Sequence, residues 1–494
     1  MWFKRELSLP FTNRPLAEHN TLSSNHSKLR HKYFLQISLI LALLFLTGTY
    51  YSRSKYEFTG ILTSPPLGIP ERVQRQWGQY SPWFPNKEYE YPPEGCEITQ
   101  VNILQRHGAR FPNADDKYVK SVQRLMRANK FVDSKLDFLR EYQYDLEEEE
   151  LLPFGASQSF EAGGAVFRRY AHLISEKILP FVRASGKNRV IHSATNWTVG
   201  FASATHQRIN PTVTVIIPED QNNTLHNICP NAGDGSKEKE AWLKVFSPPI
   251  IKRLQKAAPG ASIAEEDVFN LMAMCPFESL AKQRASEFCS LFTDDEFKEF
   301  EYHGDIEKYY KTGYGESLGP VQGVGYVNEL IARLTGRPVE DHTQHNDSLP
   351  FPLGRTLYAD FTHENLMVAV YSAMGLYNIT DDPLSTKKMD KDRIWVASRM
   401  VPFSSRMVVE RLACQVDRAS RFIIRPERTD VERSEDSDDG RQMKEYVRVL
   451  VNDAVQPLKF CGAGKHGICT LDAFIESQAY AQRNGDGDFE KCYN

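Results

Sequence analysis

Residues 97–112, EITQVNILQRHGARFP, carry an apolar, strand-like run (Glu97 to Leu104) directly into Arg106-His107-Gly108-Ala109-Arg110-Phe111-Pro112. A strand that ends in a polar, glycine-containing turn is the opening of an α/β unit, and open α/β sheets bind ligands at the carboxyl ends of their strands. The turn sets a histidine between two guanidinium groups. A neutral imidazole nitrogen attacks phosphorus when fixed positive charge holds the phosphoryl oxygens and offsets the charge that develops in the transition state. Arginine suits that task because its planar fork spans two phosphate oxygens and stays charged. A lone Arg-His pair would read as a structural histidine beside surface arginines. Here the pattern Arg-His-Gly-x-Arg-x-Pro coincides at every fixed position, which ordinary residue frequencies allow on the order of once in ten thousand chains of this length.

Outward from this stretch the same order recurs. Val166, Phe167, Tyr170, Leu173 and Ile174 follow helical spacing, the run closes at Gly186, and Arg189-Val190-Ile191 is predicted to open a second strand. Val327, Leu330, Ile331 and Leu334 form another helical stripe, closed by Gly336. Leu357 to Phe361 reads as a strand leading into Thr362-His363-Glu364-Asn365, after which Met367, Val370, Tyr371 and Met374 resume helical spacing. Strand, polar turn, helix predicts an α/β sandwich. Residues 235–315 are helical in composition and predict an all-helical subdomain inserted into the sheet domain, whereas residues 417–444, which include RPERTDVERSEDSDDGRQMK, predict a mobile charged surface loop.

At 494 residues and 41% hydrophobic the chain can bury a large core, and its net charge of -4 provides no general attraction to nucleic acid. A polyanion must therefore meet a local basic pocket. No zinc-type ligand spacing, P-loop or dinucleotide fingerprint is present. Residues 33–51 hold an uncharged apolar run, YFLQISLILALLFLTGT, with Lys28, Arg30, His31 and Lys32 before it and Arg53 and Lys55 after it. The length predicts a transmembrane helix, and the charge asymmetry predicts a signal anchor with residues 1–32 as a disordered cytosolic tail. A cleaved signal peptide fits less well, because a long polar segment precedes the run and no A-x-A pattern follows it. Residues 52–94, rich in Pro, Tyr and Trp, predict a stem that wraps onto a catalytic domain spanning 95–494. All eight cysteines follow the apolar run, as expected of a disulfide framework on the exported side. Sequons at Asn196, Asn222, Asn346 and Asn378 point the same way, and the one at Asn25 should stay unused in a cytosolic tail.

A phosphohistidine mechanism needs a nucleophile, several fixed cations, an orienting group and an acid for the leaving oxygen. The first motif offers His107, Arg106 and Arg110; His363-Glu364 at the next strand end offers a phosphate-binding histidine and the acid. Spacing leaves Arg183 and Arg189 both open as a further phosphate ligand.

Together, Arg106 to Pro112 and Asp360-Phe361-Thr362-His363-Glu364-Asn365 resemble the histidine acid phosphatases, in detail the secreted fungal phytases. The resemblance covers roughly residues 75–494. It includes Trp77-Gly78-Gln79-Tyr80, Val182 to Gly186, Gly319 to Tyr326 running on to Leu334, and Val447 to Asp453. It implies a phosphoglycerate-mutase-like α/β sandwich with an inserted α subdomain and an acid phosphomonoesterase acting on inositol phosphates. It also implies a covalent phosphohistidine on His107, Glu364 as proton donor, and neither metal nor cofactor. Arg106, Arg110, Arg189 and His363 would hold the phosphate; Lys308 matches a specificity-pocket lysine and Tyr80 a substrate-contacting tyrosine. The implied disulfides are Cys96 with Cys414, Cys229 with Cys492, Cys275 with Cys289, and Cys461 with Cys469. Glu364 stands where the fungal phytases have aspartate, although related inositol polyphosphate phosphatases use glutamate. Asn113 replaces a phosphate-contacting threonine, and the apolar run replaces a cleaved signal. A broad-specificity acid phosphatase is the alternative on the same site. A mutase-like transferase is disfavoured by the export signals, and a catalytically dead phosphate-binding surface protein by the completeness of the set.

Overall fold

The computed structural model describes residues 66–417, 441–464 and 466–494, which belong to one unit, Leu62–Asn494. The expected tail, the membrane segment, the first part of the stem and the middle of the charged loop lie outside the described residues. Among the described residues no helix is long and apolar enough to cross a membrane.

The strands, in chain order, are β1 (Cys96–Arg106), β2 (Phe181–Ser185), β3 (Val213–Ile217), β4 (Leu357–Thr362), β5 (Arg406–Asp417), β6 (Arg441–Val451), β7 (Ala454–Val455) and β8 (Ile468–Thr470). They form one sheet in the order β3-β2-β4-β1-β5-β6-β7, with β8 paired to β6. The first four are mutually parallel, and β5 returns antiparallel beside β1. The longer helices are α1 (Lys117–Met126), α2 (Pro153–Tyr170), α3 (Asn188–Ala204), α4 (Ser236–Ala257), α5 (Glu265–Lys282), α6 (Asp294–Lys311), α7 (Val324–Thr335) and α8 (Glu364–Met374).

Helices cover both faces of the sheet, which is why its central strands are buried on both sides. In β4, Leu357, Ala359 and Phe361 point to a core shared with Val166 and Tyr170 of α2 and Trp197 and Phe201 of α3. Tyr358 points the other way, into a core with Val327 and Leu330 of α7 and Met367 and Val370 of α8. Each large apolar side chain buried in this way contributes about 1.5–3 kcal/mol. Helices α4, α5 and α6 lie between β3 and β4 in the chain, within the stretch read as an inserted helical unit.

One expectation is corrected. Arg189-Val190-Ile191 is not a strand but the first turn of α3, and the second strand lies earlier, at Phe181–Ser185. A short apolar run fits either state; what decides is that buried positions continue at Val190, Ala194, Trp197 and Phe201, a helical spacing that packs on the sheet.

Residues 66–94 lie against the sheet domain. Trp77 is fully buried, Trp83 donates through Nε1 to Asn452 Oδ1 at 3.0 Å, and the Asn86 amide donates to Asn452 O at 2.8 Å. Disulfides join Cys96 to Cys414, Cys229 to Cys492, Cys275 to Cys289 and Cys461 to Cys469. The first staples β1 to β5 at a directly paired position.

Candidate active site

Because β1 to β4 run parallel, their carboxyl ends meet along one edge of the sheet. There β1 delivers His107, the turn after β2 delivers Arg189, β3 delivers Glu219, and β4 delivers His363 and Glu364. The amino end of β5 closes the edge, with the Ser404 amide donating to His107 O at 2.9 Å and the His107 amide donating to Thr362 O at 3.0 Å.

The turn after β1 is held by tight packing. A Cβ on Gly108 would lie 2.2 Å from Gly155 O, and one on Gly155 would lie 2.2 Å from Ala109 O, so the first turn of α2 fits only against glycine. Ser193 Oγ accepts from the Gly108 amide at 3.0 Å and Gln158 Oε1 from the Ala109 amide at 3.2 Å. His107 is 1% exposed. Its Nδ1 lies 2.8 Å from Gly108 O, so Nδ1–H is the donor and Nε2 keeps its lone pair for attack. Burial first, and then the charges of Arg106, His363 and Arg189, hold the imidazole pKa well below its ordinary value. His107 is therefore neutral even in mildly acidic solution.

Arg106 is fully buried, its Nη1 donating to Gln79 O and to Val401 O and its guanidinium lying 4.5 Å above the Phe403 ring. Its Nη2 is ion-paired with Glu364 Oε2 at 3.1 Å, while its Nε has no hydrogen-bond partner, and the same is true of Nε in Arg110 and in Arg189. Buried guanidinium donors normally find partners, so these unpaired Nε groups are donors available to an oxyanion. Arg189 touches Glu149 at 3.4 Å, and Arg110 Nη1 donates to Phe111 O at 2.7 Å. Arg183, left open by spacing, serves otherwise. It is 2% exposed and saturated by Asp360 at 2.7 Å and Glu329 at 2.6 Å, with Arg333 completing the buried network on Asp360.

His363 sits at the N-cap of α8, its ring 5.5 Å from that of His107, and its Nε2 lies 2.7 Å from Glu219 Oε1. Glu364 opens α8. Its Oε2 lies 3.1 Å from Arg106 Nη2 and 3.9 Å from His107 Nε2, and its Oε1 lies 3.5 Å from Lys308 Nζ. Burial pushes this carboxyl up, but the charges of Arg106 and Lys308 outweigh burial and hold it well below the usual carboxylate range. These charges favour the ionised form of Glu364.

Lys308, read as a specificity-pocket group, is only 1% exposed and donates to Asn365 Oδ1 at 2.9 Å and Glu307 Oε1 at 3.2 Å. Burial raises the Glu307 carboxyl, but Lys308, Lys239 and Lys311 bring it down to about 2. Tyr80 lies in an aromatic wall with Phe277 at 4.8 Å; burial raises its hydroxyl pKa and keeps it protonated. Asn113 is exposed in the loop after Pro112, and its side chain makes no hydrogen bond to the other site residues. The structure therefore brings together Arg106, His107, Arg110, Arg189, His363, Glu364, Lys308 and Tyr80, and leaves Asn113 aside.

Glu219, His226, Glu149 and Glu307 went unread in the sequence. Glu219 had a signal, since Val213–Ile217 alternates like a strand and runs into Pro218-Glu219, the same strand-then-polar-turn pattern as the two motifs. His363 and His226 pull its carboxyl down to about 2 against the upward push of burial. Among the described residues, Glu219, His226 and His363 are a group whose ligand atoms lie within 4.8 Å of one another, close enough to hold a metal ion.

A sequence profile described as the histidine phosphatase superfamily (branch 2) matches residues 97–452. Phytase A of Aspergillus oryzae is 37% identical over 452 residues, covering 85% of this chain and 91% of its own. Phytase A of Arthroderma benhamiae is 38% identical over 459 residues, covering 87% and 95%. Among solved structures, the phytase from D. castellii superposes with a TM-score of 0.67 at 24% identity, covering 88% of this chain and 91% of that one. The Bifidobacterium longum multiple inositol polyphosphate phosphatase with inositol hexasulfate superposes at 0.59 and 14% identity, covering 83% and 98%.

Proposed function

The chain belongs to branch 2 of the histidine phosphatase superfamily, and on that footing we propose that it is an acid phosphomonoesterase that hydrolyses inositol phosphates through a phosphohistidine on His107. The observation that carries this reading is the free Nε2 of a buried His107 that feels the charges of Arg106 and Arg189, with Nε of Arg106, Arg110 and Arg189 still without a hydrogen-bond partner. The likeness to Phytase A over most of the chain supports inositol phosphates as the substrate class.

In the first step Nε2 forms the N–P bond while the ester P–O bond breaks, and Glu364 gives its proton to the departing oxygen. In the second, the Glu364 carboxylate takes a proton from water, whose oxygen attacks phosphorus and releases inorganic phosphate and free His107. The guanidinium groups and His363 hold the non-bridging oxygens throughout. Glu364 starts ionised because Arg106 and Lys308 surround it. A bound phosphate dianion takes up Arg106 and adds negative charge nearby, which raises the carboxyl pKa and favours a mildly acidic optimum.

A broad acid phosphatase is the second reading, favoured by one observation: Lys308 is buried and already engaged by Glu307 and Asn365, so it is less free to meet a further phosphate. The finer fold description, a phosphoglycerate-mutase-like sandwich with an inserted helical subdomain, belongs to the same proposal and is supported by the run of α4, α5 and α6 between β3 and β4. So does a signal anchor at 33–51 with the catalytic domain on the lumenal or extracellular side, supported by the flanking charges, the sequons and the four disulfides.

The test is initial rates on inositol hexakisphosphate and on an aryl phosphate between pH 3 and 7, in the presence of a chelator. His107→Ala should abolish turnover of both. Glu364→Gln should slow alkyl esters far more than aryl esters, whose leaving group needs no acid. Normal alkyl-ester turnover by Glu364→Gln would remove the acid from the scheme, and a large preference for the aryl substrate would favour the broad phosphatase.

A further inference from the structure

His363 holds phosphate in the scheme above, but the grouping of Glu219 and His226 beside it is not explained by phosphoryl transfer. Three separate segments deliver it: Glu219 follows β3, His226 lies in the succeeding loop, and His363 follows β4. Their positions are fixed by bonds around them. Thr362 Oγ1 donates to Leu225 O at 2.6 Å, tying together the neighbours of the two histidines. Asn223 Nδ2 donates to Ile217 O at 3.0 Å and braces the turn, while Ser185 Oγ donates to Glu219 Oε1 at 2.9 Å and orients the carboxylate. Such outer bonds are what give a metal site its shape. His363 Nε2 is 2.7 Å and His226 Nε2 4.0 Å from the carboxylate oxygens, and the two rings meet edge to face with centroids 5.6 Å apart. Ligands about 2.0–2.2 Å from an ion in a tetrahedral site sit roughly 3.5 Å from one another, so closure here needs side-chain shifts of about an ångström. The Nδ1 of His226 is buried with no hydrogen-bond partner, so a small turn of this ring toward the ion breaks no hydrogen bond at that nitrogen.

We propose that Glu219, His226 and His363 form an inhibitory site for a borderline transition-metal ion such as Zn2+, and that filling it withdraws His363 from the phosphate. This rests on the reading of His363 as a phosphate ligand. Two imidazoles and one carboxylate, with the fourth position open, are a ligand set suited to Zn2+. Lys187 and Arg189 lie close enough to repel cations. Hard ions such as Mg2+ and Ca2+, which depend on oxygen ligands, find one carboxylate and that opposing field. The site therefore selects for imidazole affinity. The ion takes His363 Nε2, the nitrogen that already meets Glu219, so the competition comes through the ring: the shift of about an ångström that closes the ligand set moves the imidazole, and with it the other nitrogen, off the position from which it meets phosphate.

The experiment uses metal-free full-length protein, with ZnCl2 titrated calorimetrically and by inhibition of aryl phosphate hydrolysis, which avoids precipitating an inositol phosphate with the metal. Zn2+ should inhibit by raising KM, chelator should restore the rate, and MgCl2 at the same concentration should do nothing. Inorganic phosphate should weaken Zn2+ binding in the calorimeter. His226→Ala and His226→Asn should both retain turnover while weakening Zn2+ binding and inhibition, by the order of tenfold or more expected when a metal site loses part of its support. Undiminished Zn2+ sensitivity in both variants, or no Zn2+ binding by the unaltered protein, overturns the site. Zn2+ binding that depends on His226 yet is indifferent to phosphate overturns the shared use of His363 instead, leaving the phosphatase chemistry of His107 to its own test.

Discussion

Removing Lys308 separates two roles that this side chain could play. Its ammonium lies 3.5 Å from Glu364 Oε1. At an effective dielectric constant of about 20, two unit charges at that separation interact by about 5 kcal/mol. That figure is an upper bound here, because Glu307 shares the ammonium at 3.2 Å and Arg106 holds the same carboxylate at 3.1 Å. A change of about one pKa unit, the low end of what a nearby opposite charge produces, is the expectation, equivalent to about 1.4 kcal/mol. The sign is fixed: Lys308 lowers the Glu364 pKa, so Lys308→Met raises it and leaves more of the acid protonated at a given pH. The alkaline limb of the kcat profile for a simple alkyl phosphate should move up by about one unit. KM for that substrate should change little, since it has no second phosphate for Lys308 to meet. The assay is kcat and KM against pH for an alkyl monophosphate and for inositol hexakisphosphate, in the unaltered protein and in Lys308→Met. An unmoved alkyl-phosphate profile, together with a raised KM for inositol hexakisphosphate alone, would refute the coupling and return Lys308 to a substrate-binding role.

The two arginines that spacing left open should respond differently. Arg189→Ala should lower kcat/KM by about 1.5–3 kcal/mol, roughly 10- to 150-fold, with thermal stability nearly unchanged. Arg183→Met, which leaves buried Asp360 to Arg333 alone and Glu329 to His345 alone, should destabilise the fold by about 1–3 kcal/mol in a denaturant titration. Equal effects of the two on stability would contradict the burial difference. Gly108→Ala places its Cβ 2.2 Å from Gly155 O; the turn must move, which should cost about 1–3 kcal/mol of stability and a larger share of activity, since His107 shifts with it. Full activity in that variant would show that the contact yields. Finally, Glu329 is pushed up by burial but pulled down to about 2, chiefly by Arg183 and His345. A depressed carboxylate stabilises the fold above its unfolded value of about 4.3 and loses that contribution as pH falls toward the folded value. The melting temperature should therefore hold at pH 5 and decline between about pH 4.3 and 2, less steeply in Glu329→Gln than in the unaltered protein.

What the chain alone determined is whatever lies close together in it. Arg106, His107 and Arg110 share one turn, and His363 and Glu364 are adjacent at a strand end, so periodicity and motif locate both halves of the chemistry. The helical stripe ending at Gly336 and the strand at Leu357 were legible for the same reason: burial on one face leaves a repeat in the residues that form it. The Arg189 turn was misread because a short apolar run carries no such repeat until the contacts of Ala194, Trp197 and Phe201 are known. Spacing could not choose between Arg183 and Arg189 as a phosphate ligand, and only the family resemblance pointed to Arg189. Arg183 is neutralised by Asp360, 177 residues away, and by Glu329, 146 away, and only the closed sheet brings those carboxylates to it. Glu219 and His226 beside His363, and Lys308 beside Glu364, are likewise products of tertiary packing. Local sequence sets which groups a strand end can offer; the field each group feels comes from charges that the fold gathers from distant segments, and that field decides which of them bind, donate or stay silent.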